Sequence, residues 1–209
     1  MAMPAWVSEL GIAAQVAIAV VAVRGEKLRA RWFRPRLCVE LLNPLGRMET
    51  LALLVKQGGH FVQEFGPARY YHLRVTNRAA YPEAREVEVL LTRLDLRGPD
   101  GQPQPSYAGP LPLRWQHQEH YPKNRTIGRA TVAVADLLFV QPGVLSLTPN
   151  ITPLNFPSKM HGEQHFWMTV LARGLNGESK ARPIRIDWDG QWHQGDTEMA
   201  SHLIITVEQ

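Results

Sequence analysis

From Pro35 onward, apolar residues recur at every second position, and that period limits the chain more than any other feature. In the run Tyr70–Asn77, Tyr71, Leu73 and Val75 share one parity, while Tyr70, His72, Arg74 and Thr76 share the other. Successive side chains of a strand point to opposite faces, so such a run makes a half-buried antiparallel strand. Residues 86–96 alternate through Val87, Val89 and Leu91, then switch parity at Leu94 and Leu96. A β-bulge near Thr92 and Arg93 reconciles the two halves. Further strands are expected at 36–42, 111–118, 130–140, 145–151, 164–174, 182–188 and 201–209. Pro112 confines its strand to an edge, and 97–105 reads as a loop. Asp189-Gly190, between Trp188 and Trp192, is a two-residue hairpin signal. Residues 44–66 fit either a hairpin or a short helix, and no helix is expected beyond them. About eight strands at short intervals predict a mainly β chain, an immunoglobulin-like Greek-key β-sandwich over residues 36–209.

Residues 1–35 read differently. From Leu10 to Val23 the only polar side chain is Gln15, and the run stops at Arg24. Arg24, Lys27, Arg29, Arg31, Arg34 and Arg36 then stand against Glu26 alone, so 24–36 carries +5. The chain's net charge is +4, which leaves −1 for the remaining residues. The basic character therefore belongs to one collar. A nucleic-acid surface spreads its Lys and Arg over a face instead, so no nucleic acid is expected as a partner. An apolar run flanked by Trp6 and Trp32, with positive charge only behind it, predicts one N-terminal transmembrane α-helix. The positive-inside rule puts the N-terminus outside and the body in the cytoplasm, at the inner membrane. The competing reading is a buried or interfacial helix, because 14–17 apolar residues are few for a bilayer. Ala13 and Ala17 are spaced to let two such helices approach, a route to a homo-oligomer.

The run Tyr71-His72-Leu73-Arg74-Val75-Thr76-Asn77, followed by Ala84 and Val87-Glu88-Val89, resembles bacterial immunoglobulin-like sandwiches of the CARDB kind. The whole layout, with Asp187-Trp188-Asp189-Gly190-Gln191-Trp192, is similar to bacterial proteins of unknown function that carry an N-terminal anchor and one such sandwich. Arg78 stands where the CARDB pattern favours Gly. The resemblance implies a fold and a tether, with no catalytic residues to carry over.

Chemistry is sparse. The chain has no phosphate loop, nucleophile elbow or paired-cysteine zinc spacing, and Cys38 is its only thiol. The best metal candidate is His161, Glu163 and His165, which share a face if extended; the competing reading leaves them solvated at a loop–strand junction. Among the tryptophans, Trp188 has core parity, and Trp192 is the one expected to be exposed as a ligand platform. No cofactor is expected. Three functions compete: a membrane-anchored, non-catalytic protein-interaction module; a structural subunit of a larger phage- or secretion-type assembly; and a metal-dependent enzyme.

Overall fold

The computed structural model describes Gly25 and residues 34–208, apart from 58–59, 80–81, 117–123 and 130. Trp6, Arg24, Lys27, Arg29, Arg31, Trp32 and the apolar run lie outside the described residues, as does the expected transmembrane helix. Among the described residues no helix is long and apolar enough to cross a membrane.

Residues 35–209 form one compact unit of two antiparallel sheets. The strands are β1 (Leu37–Leu41), β2 (Arg47–Gln57), β3 (His60–Asn77), β4 (Ala84–Arg97), β5 (Pro103–Pro112), β6 (Arg125–Ile127), β7 (Val132–Gln141), β8 (Val144–Leu147), β9 (Lys159–His161), β10 (Gln164–Gly174), β11 (Gly177–Glu178), β12 (Arg182–Trp188) and β13 (Leu203–Val207). One short helix, α1 (Asp196–His202), precedes β13. The first sheet runs β1-β3-β7-β8-β9, with β2 also on β3. The second runs β13-β12-β10-β4-β5, with β11 on β10 and β6 on β4.

The period-two pattern becomes burial directly. Tyr71, Leu73 and Val75 are buried on the inner face of β3, opposite Val87, Val89, Phe166, Met168 and Ile186 of the other sheet. The switch of parity in β4 is a bulge at Thr92: Arg93 pairs with Thr169 and Leu91 with Val170, leaving Thr92 without a partner on β10. That extra residue returns Leu94 to the core, where it is fully buried. Trp115 and Trp188 are fully buried as well.

Five expectations need correction. The segment 97–105 is not all loop, because β5 begins at Pro103 and the strand expected at 111–118 ends early, at Pro112. Prolines are tolerated there because β5 is an edge strand, and its ladder with β4 is interrupted twice, skipping Ser106, Gly109 and Pro110. Past Pro112 the chain crosses to the first sheet, with Leu113 bridging Pro149 and Trp115 bridging Ala135. Asp189-Gly190 does not close a hairpin. Asp189 instead accepts the Gln191 N–H at 2.9 Å, and the chain bends away into residues 191–195 and α1. That helix is the one the sequence pattern missed: seven residues are too few for a readable period, and only Met199 is buried. The strand expected at 145–151 stops at Leu147, where the prolines at 149 and 153 begin.

Phe166 is fully buried in this core. Replacing it with Ala should cost about 3–5 kcal/mol in urea unfolding, whereas Leu175→Ala, at a site 73% exposed, should change stability by less than about 0.5 kcal/mol.

Candidate interaction site at the root of a β-ribbon

β3 is longer than the sheet it belongs to. Its C-terminal part, Leu73–Asn77, pairs with β1, and Arg69–Thr76 pairs with β7. Before Arg69, its partner among the described residues is β2 alone, from Arg47↔Tyr70 out to Gln57↔His60. β1 and β2 follow the same edge of β3 as one interrupted strand. The result is a two-stranded ribbon that runs on past the sandwich. From the Leu51↔Gly66 pair to the Gln57↔His60 pair it extends roughly 20 Å at about 3.4 Å per residue. This ribbon settles the choice left open for residues 44–66: they form a hairpin. Phe65 and Val62 on it are 71% and 41% exposed. Pro67 is admissible because β3 has a single neighbour at that point.

The interruption between β1 and β2 is specific. Asn43 Oδ1 accepts the Leu45 N–H at 3.0 Å, and Asn43 Nδ2 donates to Gly46 O at 2.8 Å. Gly46 has φ +69°, and a Cβ there would lie 2.8 Å from Arg69 Cγ and 2.9 Å from the Tyr71 ring. Both facts require glycine. The turn therefore lies directly on Arg69.

Arg69 is fully buried. Its Nη1 donates to Leu45 O at 2.8 Å and to Asp196 Oδ1 at 2.6 Å, and its Nη2 donates to Gln194 O at 2.7 Å. One guanidinium thus ties the β1–β2 turn, the ribbon's root and the 189–202 connection together. Nε has no partner among the described residues. A planar fork of fixed donors suits three acceptors arriving from different segments. Burial raises the Tyr71 phenol to about 12, opposed by the nearby Arg69 charge. An open cleft of about 470 Å³ lies here, lined by Met48, Glu49, Thr50, Phe65, Gly66, Pro67 and Gln194.

The candidate metal residues sit elsewhere, at the start of β10. Glu163 and His165 are brought together, whereas His161 closes β9 in the other sheet and is exposed. His165 Nε2 lies 2.7 Å from Glu163 Oε1 and Nδ1 lies 2.8 Å from Asp187 Oδ1. Carboxylates only accept, so both ring nitrogens donate and the ring is an imidazolium. Its pKa is raised accordingly, first by Glu163 and then by Asp187. Burial opposes ionisation of Asp187, but the hydrogen bonds from His165 and Arg185 outweigh it and hold the carboxyl below its ordinary range. Among the described residues no three His, Cys, Asp or Glu side chains are grouped to hold a metal ion. The arrangement is a charged clamp between β10 and β12.

Trp192 is half-buried and packs against the core. Trp167 is the tryptophan that half-emerges on the outer face, with the Arg185 guanidinium 5.8 Å from its ring centre. Its parity, opposite to that of Phe166 and Met168, was the available signal. Of the basic collar, Arg34 and Arg36 are described and both are exposed. The Arg36 N–H donates to Asn77 Oδ1 at 3.0 Å where β1 opens.

Compared with protein-family models, with curated proteins and with solved structures, the chain matched none.

Two outcomes test this geometry. Arg69→Met should destabilise the protein by about 3 kcal/mol, since it strands Leu45 O and Gln194 O; Asp196→Asn should cost far less, its carboxylate being 64% exposed. Urea midpoints of the two variants decide it. The His165 clamp has the opposite pH sense to a carboxylate-based one. Because the folded pKa lies above the ordinary 6.5, its contribution is full below about pH 6.5 and is lost as pH rises through the folded value. His165→Gln should flatten that alkaline fall in stability, and NMR titration of the ring should follow it.

Proposed function

We propose that this protein is a non-catalytic protein-interaction module that engages its partner through the β2–β3 ribbon. One observation carries the reading. The ribbon presents two strand edges with no neighbour among the described residues, and it exposes Phe65 and Val62. An isolated two-strand hairpin is marginal in water, and open edges are templates for a further strand. A ribbon anchored by a buried arginine is placed to present those edges to another chain. Lipid is the poorer occupant, since hydrocarbon supplies no partner for unpaired N–H and C=O groups.

The body's strand order supports an immunoglobulin-like Greek key; its CARDB kind is supported by the sequence pattern alone. β1-β3-β7 corresponds to the order of a first immunoglobulin sheet, and β12-β10-β4-β5 to that of the second. Membrane tethering, with the body cytoplasmic, is the part of the proposal supported by sequence alone: the apolar run to Val23 and the collar behind it. Permanent membership of a larger assembly is the second reading. It is favoured by the same ribbon, which gains stability only when a neighbour completes it.

A photo-crosslinking residue placed at Phe65 or Val62 of the full-length chain in its native cells should give one discrete protein adduct. The same residue at Leu154 or Leu175, 93% and 73% exposed, should give none. Equal labelling from all four sites would remove the ribbon from the interaction. For the tether, full-length protein should need detergent for extraction, and a chain starting near Arg34 should not.

A further inference from the structure

The 189–202 connection that grips Arg69 carries its own titratable fastening. His193 and His202 stack face to face, with ring centres 4.3 Å apart and planes within 11°. His202 Nδ1 lies 2.6 Å from Asp189 Oδ2. Burial opposes ionisation of Asp189, yet its bonds from His202 and the Gln191 N–H hold its carboxyl below the ordinary range. His193 is less well served. Its nearest carboxylate, Glu198 Oε2, is 3.9 Å away on a side chain 72% exposed, beyond hydrogen-bond reach and open to screening. The other charged groups near this corner are committed elsewhere. Glu163 and Asp187 hold His165, and Asp196 holds Arg69.

One proton on such a stack is favourable, because a cation lies over a neutral aromatic face. A second places two like charges face to face with one hydrogen-bonded counter-ion between them. Met199 is buried in the core and Trp192 packs on it; beyond these the connection is tied by hydrogen bonds. Trp188 Nε1 donates to Gln191 O at 2.8 Å, the Asp189 N–H to His202 O at 3.2 Å and the His193 N–H to Met199 Sδ at 3.4 Å. Gln194, the residue after His193, supplies the carbonyl held by Arg69 and lines the cleft beside Phe65.

We propose that the His193–His202 stack is a proton-operated latch on the ribbon: a second proton parts the rings, loosens residues 189–202 and slackens their hold on Arg69 at the ribbon's root. The latch itself needs only the geometry; its regulatory meaning rests on the ribbon being the docking element. Acidification then releases the root, while the His165 clamp 2.8 Å from Asp187 stays closed. The two histidine sites of one corner respond to acid in opposite senses.

Hydrogen exchange of the full chain at pH 7.5 and pH 5, corrected for intrinsic rates, tests this. Amides of 190–202 and 45–49 should exchange roughly tenfold faster at pH 5, while those of 164–170 and 182–188 should not. His193→Phe keeps a ring in the stack without a charge and should abolish the acid effect. Glu198→Gln, at an exposed site, should leave that effect in place. Unchanged protection of 190–202 at pH 5, or a wild-type response in His193→Phe, would overturn the latch. Crosslinking from Phe65 separates it from the docking reading. Adducts without an exchange response sink the latch alone, and an exchange response without adducts sinks the docking alone.

Discussion

A buried guanidinium holds the architecture together where it is most at risk. Arg69 lies where β3 leaves the sandwich, and nothing about a two-stranded ribbon would otherwise fix its direction. Its donors reach a turn on one side and the chain's last connection on the other. These three segments are distant in sequence, so the ribbon's root is set only when the C-terminal end of the fold is in place. Taking an ionised group out of water is costly. Here that cost is met by backbone carbonyls and by an aspartate that remains partly in solvent, and Gly46 lies so close to Arg69 and Tyr71 that it admits no side chain of its own.

Much of the sandwich was legible because burial and period coincide. Tyr71, Leu73 and Val75, or Ile184, Ile186 and Trp188, state their inner face in the order of residues. Even the Thr92 bulge could be placed, since an apolar strand keeps one face inward across a parity switch only by taking in an extra residue. Where apolar residues occupy both parities, as in Leu51-Ala52-Leu53-Leu54-Val55, the pattern loses its meaning, and the ribbon was ambiguous for that reason. The proline-rich start of β5 was obscured by composition: Pro103 and Pro105 signal loop in isolation but are admissible on an edge.

The site was less legible than the fold. Nothing in the neighbourhood of Arg69 in sequence distinguishes it from any surface arginine in a strand. Its parity matches Tyr71, and that inward parity was the one available hint. The His165 clamp shows the converse. His161, Glu163 and His165 looked like one group because they alternate. A sheet boundary falls between His161 and the other two, at Gly162, and the third member of the cluster, Asp187, comes from across the ladder. Cross-strand neighbours depend on register, which local pattern does not encode.

The continuity of β3 has a mechanical side. One unbroken strand of 18 residues forms half of the ribbon and the centre of the first sheet, between β1 and β7. Tension applied at the ribbon's tip would run lengthwise along that backbone and load both flanking ladders in shear. Bonds loaded that way resist together, whereas bonds peeled from an edge give way one at a time. The ribbon is thus coupled to the part of the molecule best able to bear a pull.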